Sequence, residues 1–248
     1  MSTEDLVVVF VALAAGGLTK GLTGLGLPMV SIPIMAGFLG VERAVLILIV
    51  PIVVLNLWLA WVNRDCVVDV PELPRLLIPG LPGAALGASV LYLASDRVLA
   101  TILAVWIVGY LLLRLLHPNL TLSQGARRRA APAVGFAAGA MQAATGISAP
   151  IVAAYVDALG LSPRSYVFAV AAIFTALTGA HLIVLVSVSA YSLQQLLEST
   201  LAVIPALIFM RPGVWLRSLI APSVFTGVIR VLLALMALRL LYGAWVSA

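Results

Sequence analysis

Few side chains in this sequence could do chemistry inside an apolar environment, and many of them lie in two matching segments. Ala14–Val30 reads AAGGLTKGLTGLGLPMV, and Phe136–Val152 reads FAAGAMQAATGISAPIV. Aligned without a gap, both segments contain Thr-Gly-x-x-x-Pro, at Thr23–Pro28 and at Thr145–Pro150. A repeat of this length indicates that one local structure occurs twice in the chain.

Glycine and proline predict a helix break in each segment. Glycine weakens a helix interior, whereas proline is tolerated in the first turn of a new helix. We therefore expect two short helices around an unwound Thr23–Leu27, and the same around Thr145–Ala149. Free backbone N–H groups at the start of each second helix would attract an anion. The alternative is a kink that only permits close helix packing.

Lys20 is the only lysine of the sequence and lies inside an apolar segment, three residues before Thr23. An ionisable side chain at such a depth in a membrane is a candidate for function, and we expect it to face an anion. The alternative is that Lys20 caps the last carbonyl groups of its own helix. Its counterpart in the second segment is Gln142, a neutral donor. The predicted substrate-binding residues are Thr19, Lys20, Thr23, Gly24, Leu25, Gly26, Gln142, Thr145, Gly146, Ile147, Ser148, Asn56 and Thr178.

The remaining polar candidates lie outside the two segments. Asn56 and Thr178 are repeat counterparts, and either could instead bond a neighbouring helix. His181 lies one turn beyond Thr178 and could carry a proton, because histidine titrates near neutral pH; the alternative is a plain helix–helix contact. Arg230 lies near the centre of the last apolar run, where it could attract anions.

Composition defines the environment of these residues. Of the 248 residues, 63% are hydrophobic and 9% charged, with a mean hydropathy of +1.20, whereas a soluble domain carries roughly 25% charged residues. Apolar runs long enough to cross a hydrocarbon core of about 30 Å recur along the chain. We therefore predict an all-α polytopic membrane protein in contact with a lipid bilayer.

The net charge of +5 does not indicate nucleic-acid binding. The basic residues flank apolar runs, where they set orientation in a membrane. Cys66 is the single cysteine, so the sequence excludes an intramolecular disulfide and a cysteine-based metal site. We predict no cofactor and no bound metal. The familiar catalytic motifs are absent from the sequence, so an enzyme is not expected.

The one hydrophilic linker of any size runs from His117 to Arg129 and suggests a boundary between two repeats. We assign residues 1–118 and 126–248 to the repeats and 119–125 to the linker. If both broken segments are re-entrant hairpins, most arginines gather on one side of the membrane. If both cross fully, the arginines divide almost evenly, so the positive-inside rule favours hairpins.

This topology makes each repeat a broken, re-entrant helical hairpin plus three transmembrane helices. Three is an odd number of crossings, so the repeats are inverted relative to each other. The expected placement is a cytoplasmic linker at 117–130 and periplasmic N- and C-termini, in a bacterial-type inner membrane. The hairpin tips would then approach the middle of the bilayer, where irregular backbone is tolerated only inside protein or a wet cavity.

The two segments also resemble a known family. Gly17–Met35, GLTKGLTGLGLPMVSIPIM, and Gly139–Ala169, GAMQAATGISAPIVAAYVDALGLSPRSYVFA, are similar to the two signatures of the sulfite exporter TauE/SafE family of membrane permeases. The similarity in length, halves and spacing covers nearly the whole chain, although only the signatures are specific. It implies an anion permease for sulfite, organosulfonates or related sulfur compounds. One departure is that Leu25 and Leu27 interrupt a glycine run that is often longer in the family.

Together these observations predict a secondary transporter, with export as the preferred direction, for a small sulfur oxyanion. Alternating access around a site between the two helix breaks is the expected mechanism, and a proton is the candidate coupling ion. Within transport, the alternative is an anion channel or an uptake permease. Other classes left open are a membrane sensor or assembly subunit that moves no substrate, and an intramembrane enzyme. The sequence does not indicate an oligomeric state.

Overall fold

A computed structural model describes residues 3–23, 26–116, 124–216, 219 and 222–245. Within these residues the chain is helical and contains no strand. One 3-10 helix, Arg64–Asp69, separates the third and fourth α-helices. The α-helices are α1 (Thr3–Thr23), α2 (Leu27–Leu39), α3 (Val41–Val62), α4 (Leu73–Leu93), α5 (Asp96–Leu116), α6 (Gln124–Thr145), α7 (Ala149–Asp157), α8 (Pro163–Ser187), α9 (Leu193–Leu201), α10 (Val203–Leu216) and α11 (Pro222–Trp245).

The predicted all-α membrane architecture is confirmed. Among the described residues, six helical segments are long and apolar enough to cross a membrane. The first helix is one of them, so it is longer than the short hairpin arm that the apolar pattern predicts. The six segments are Thr3–Leu22, Val41–Val62, Leu73–Leu93, Asp96–Leu113, Pro163–Ser187 and Leu193–Leu216.

One apolar run of the sequence folds as two helices. The segment 195–210 reads as continuous, yet α9 ends at Leu201 and α10 begins at Val203. Pro205 lies four residues after Leu201 and has no N–H group to donate to its carbonyl, so a single continuous helix is disfavoured there. The break coincides with this missing donor, although other prolines, such as Pro51 and Pro79, lie inside continuous helices.

The chain packs as two compact units. The first contains Met1–Pro51, Leu93–Pro118 and Leu193–Ala248, and the second contains Ile52–Tyr92 and Asn119–Ser192. Each unit draws residues from both predicted repeats. The units reflect packing and the repeats reflect sequence, so the repeat boundaries and the linker 119–125 stay a prediction. Residues 119–123 of that linker lie outside the described residues.

In the first unit, glycines allow α1 and α10 to approach closely. A side chain at Gly17 would meet the Ala206 carbonyl, and one at Gly213 would meet the Leu18 carbonyl. Backbone against backbone leaves no room for larger residues, which is a common way for membrane helices to associate. This contact fixes α1, the helix that carries Lys20, on a rigid neighbour.

In the second unit, α4 and α6 meet in the same manner. A side chain at Gly83 would meet the Phe136 carbonyl, and one at Gly139 would meet the Gly80 carbonyl. Ala84, Ala88 and Ala143 form a small buried cluster where the two helices meet, with Ala180 of α8 packed against it. These contacts position α6, which ends at the second predicted helix break.

Candidate functional site

The first predicted helix break is confirmed. Helix α1 ends at Thr23 and α2 begins at Leu27, with Gly26 as the N-cap residue of α2. The backbone of Gly26 has φ +111° and ψ −3°, a left-handed conformation that glycine adopts without steric cost. Three predicted site positions, Gly24, Leu25 and the Thr23 side chain, lie outside the described part of the chain.

Helix α2 folds back along α1, as a hairpin requires. The Ser31 hydroxyl donates a buried hydrogen bond of 2.8 Å to the Ala12 carbonyl. Nearer the break, a side chain at Gly16 would meet the Leu27 carbonyl. Later residues of α2 therefore contact earlier residues of α1, which is the order of an antiparallel pair. The predicted hairpin shape is confirmed for this segment.

The start of α2 has backbone donors that its own helix does not use. Its first turn closes when the Val30 N–H donates to the Gly26 carbonyl at 3.2 Å. The N–H groups of Leu27 and Met29 come before this bond and have no acceptor within the helix, and Pro28 has no N–H group. Positive charge concentrates at such a helix end. The first tip therefore favours an anion.

Lys20 and Thr19 are buried on the last turns of α1, each with 5% of its surface exposed. The Thr19 hydroxyl donates to the Ala15 carbonyl at 2.7 Å, a bond within its own helix. A cation in the last turn also interacts favourably with the carbonyl end of a helix. The position of Lys20 thus suits both the predicted anion-facing role and the capping alternative.

The second predicted helix break is also confirmed. Helix α6 ends at Thr145 and α7 begins at Ala149. Gly146 has φ +71°, and its N–H donates to the Gln142 carbonyl at 2.9 Å. The bond closes the last turn of α6, and the left-handed backbone then turns the chain away from the helix axis.

Five side-chain and backbone groups at this second tip form two hydrogen-bonded sets. The Ser148 hydroxyl donates to Gln142 Oε1 at 2.7 Å, and both residues are buried. The Thr145 hydroxyl donates to the Met141 carbonyl at 2.8 Å and accepts from the Ile147 N–H at 3.4 Å. The amide nitrogen of Gln142 takes no part in the bond to Ser148. Its two N–H donors are therefore held in a fixed orientation.

Helix α7 starts with donors that its own helix does not use, and it returns toward the start of α6. Ile151 and Val152 both donate to the Ser148 carbonyl, so the N–H groups of Ser148 and Ala149 come before the first turn. Ser148 does not cap the helix with its side chain. At the other end, Arg127 of α6 donates to the Leu159 carbonyl at 3.1 Å. The second segment is a hairpin with an N–H-rich tip, like the first.

Comparison with protein-family models identifies the family of this chain. The model of the family described as "Sulfite exporter TauE/SafE" matches residues 8–240. The chain belongs to the sulfite exporter TauE/SafE family. No curated protein and no solved structure matches it. The predicted resemblance is confirmed, and both hairpins lie within the matched residues.

Members of the TauE/SafE family are transporters and not enzymes, and this chain is accordingly a multi-pass membrane protein of a transporter family. The remaining predicted residues lie on other helices. Asn56 is buried and donates to the Ile52 carbonyl at 2.8 Å, within its own helix. Thr178 and His181 are buried on α8, whereas Arg230 is exposed on α11.

Sequence reasoning missed Ser31, whose hydroxyl joins the two arms of the first hairpin. Its signal is a lone polar residue in the otherwise apolar α2. Reasoning from the sequence also predicted Ser148 as a substrate ligand without its bond to Gln142. A bond across a helix break depends on the turn geometry, which the sequence pattern does not specify.

Proposed function

We propose that the protein is a secondary transporter that exports a small sulfur oxyanion, sulfite or an organosulfonate, across a bacterial-type inner membrane. The observation that carries the proposal is the construction of the two tips. Each tip combines N–H groups at a helix start, which have no acceptor within that helix, with a buried polar residue one turn before the break: Lys20 in one and Gln142 in the other.

The chemistry of the tips suits a sulfur oxyanion. The oxygens of sulfite or a sulfonate only accept hydrogen bonds, and the groups at the tips are mostly donors: backbone N–H, ammonium and amide. An anion that leaves water needs fixed donors to replace its hydration. Two helix starts and Lys20 supply both hydrogen bonds and positive charge. The threonine and serine hydroxyls complete the proposed binding set.

Alternating access, in which one repeat moves against the other, is the mechanism we propose for the transport step. A carrier of this kind binds one substrate at a time, so its flux saturates with substrate concentration. An anion channel does not saturate at modest concentrations. A membrane sensor binds an anion without any flux. These differences allow each alternative to be tested directly.

The first experiment is thermal unfolding of detergent-purified protein with a panel of anions: sulfite, methanesulfonate, phosphate and chloride. A ligand that binds only the folded state raises the unfolding midpoint. Sulfite or methanesulfonate should stabilise the protein more than chloride or phosphate does. If no anion in the panel stabilises it, the proposed function is wrong. Saturable flux of the stabilising anion in proteoliposomes then distinguishes a carrier from a channel or a sensor.

A further inference from the structure

Helix α8 contains a row of buried polar atoms without hydrogen-bond partners in the described structure. The row consists of the hydroxyls of Thr175 and Thr178 and both ring nitrogens of His181. The three residues follow each other at three-residue intervals, so they lie along one ridge of the helix. Buried polar groups are nearly always bonded, and unpaired ones call for water, an ion or a functional explanation.

His181 is buried, and residues next to it on α8 pack against a small apolar cluster. Only 1% of the His181 surface is exposed. Its neighbours on α8, Ala180 and Val184, pack against the cluster formed by Ala84, Ala88 and Ala143. A large polar side chain has no packing advantage among small apolar residues. The ring nitrogens are therefore the part of this side chain to which we assign a role.

The charged groups of the neighbouring elements contact the start of α8, far from His181. The Ser165 hydroxyl donates to Asp69 at 2.5 Å, and Arg164 pairs with Asp65 at 3.1 Å. His181 lies sixteen residues further along, which is about 24 Å of helix. The titratable side chains on the elements packed against α8, with Glu72 just before α4, are Arg64, Asp65, Cys66, Asp69, Glu72, Arg75, Tyr92, Arg127, Arg128, Arg129, Tyr155 and Asp157.

Most of this set gathers near the start of α8. Arg75 and Arg128 both form ion pairs with Glu72. Arg127 donates a hydrogen bond to the Leu159 carbonyl, just before α8 begins. Tyr92, near the other end of α4, is exposed. Within the described part of this unit, His181 therefore has no fixed countercharge. A neutral imidazole suits this apolar environment, and a charged one requires an anion.

We propose that His181 binds the proton that accompanies the transported anion, with Thr175 and Thr178 completing a proton-binding row. This inference rests on the proposed function. The imidazole accepts a proton from a hydronium ion on its unprotonated ring nitrogen and becomes an imidazolium. One N–H bond forms, one O–H bond of the hydronium ion breaks, and a water molecule is released. The row is neutral without substrate. It becomes positive when the anion binds. The anion and the proton together therefore carry one negative charge fewer across the membrane than the anion alone.

The chemistry of the row favours a proton over a metal ion. Each hydroxyl can both donate and accept, and a neutral imidazole has one donor and one acceptor. A metal site would need several strong ligands together, and the described residues contain no cluster of three histidine, cysteine or acidic side chains. Reciprocal coupling follows: anion binding favours protonation, and a lower pH favours anion binding by the same factor.

The test is proton uptake on anion binding, measured with a pH indicator in weakly buffered detergent solution near neutral pH. Methanesulfonate is the probe, because it does not itself titrate in this range, unlike sulfite. The wild type should take up about one proton per bound anion. His181→Gln should lose this uptake while methanesulfonate still raises its unfolding midpoint. The control is His117→Gln, which changes the other histidine of the sequence and should retain the uptake.

A second measurement does not depend on whether the His181 variant folds. In 15N-histidine-labelled His117→Gln protein, the only imidazole signal comes from His181, and methanesulfonate should shift it to the protonated form. Thr178→Val should weaken that shift. If methanesulfonate stabilises the protein without proton uptake, or His181→Gln takes up protons like the wild type, the inference is wrong and the proposed function stands. If no anion binds, both are wrong.

Discussion

Lys20 and Gln142 occupy equivalent positions in the repeat, yet the contacts of their side chains differ. Gln142 Oε1 accepts from Ser148, so the second tip is braced by its own side chains. Lys20 brings a full charge to the last turn of α1, a position it shares with the buried Thr19. One tip therefore supplies charge and the other supplies oriented neutral donors. The sequence predicts both residues, whereas the brace depends on turn geometry.

Replacing Lys20 by methionine should weaken anion binding roughly 10- to 100-fold, because a hydrogen bond to a charged group contributes roughly 1.5–3 kcal/mol. Methionine keeps the apolar length of the side chain, so the fold should survive. The measurement is the concentration of sulfite or methanesulfonate that gives half the maximal rise in unfolding midpoint. Arg129→Met removes the same charge at an exposed position and should leave binding unchanged. Unaltered affinity in Lys20→Met would assign Lys20 to capping.

Replacing Ser148 by alanine should destabilise the protein by roughly 1–3 kcal/mol, because the buried Gln142 Oε1 loses its donor. Anion binding should weaken as well, since the amide is no longer held in one orientation. Thermal unfolding with and without methanesulfonate separates the two effects. Ser187→Ala is the matched control, because that hydroxyl is exposed and bonds only within its own helix. Equal stability of the two variants would contradict the brace.

At the scale of the helices, the sequence predicts where they break but not what holds them together. Gly26, Gly146 and the prolines that follow mark both breaks, because local backbone geometry decides them. The division between α9 and α10 is not visible in the hydropathy pattern, because the run is apolar on both sides of it. Helix pairing depends on which glycines meet. No single segment of sequence carries that information.

Replacing Gly139 by alanine should cost roughly 1–3 kcal/mol of stability, because the added methyl group would overlap the Gly80 carbonyl of α4. Backbone cannot move aside as a flexible side chain can, so α4 and α6 would have to separate. Gly109→Ala is the control: nothing lies within 4 Å of a side chain there, and alanine favours a helix by up to about 1 kcal/mol. If both variants unfold at the same temperature, the close contact of α4 and α6 is not a source of stability.

At the scale of the whole molecule, two arginine contacts bear on the predicted topology, which stays a prediction. Full crossing of both broken segments would place Arg164 on the opposite side of the membrane from Arg64. In the second unit, however, Arg164 pairs with Asp65, the residue next to Arg64. In the first unit, Arg97 lies over the ring of Trp245, 4.1 Å from its centre, which brings the end of α11 to the side that carries Asp96. The hairpin arrangement accommodates both contacts.

A reporter fused after Ala248 should therefore be active only if it works in the periplasm, and one inserted in the linker at 117–130 only if it works in the cytoplasm. Alkaline phosphatase and a green fluorescent protein, each placed at both sites, provide the measurement and control each other. The physical basis is the excess of arginine beside the linker, which the positive-inside rule keeps in the cytoplasm. If the two sites report the same side, the second broken segment crosses the membrane fully and is not a hairpin. In that case Arg164 and Asp65 would lie on opposite sides of the membrane and could not pair.

Arg164→Glu provides a second test of the hairpin topology. In that topology the substitution removes a cytoplasmic positive charge, so it should lower the fraction of correctly oriented protein.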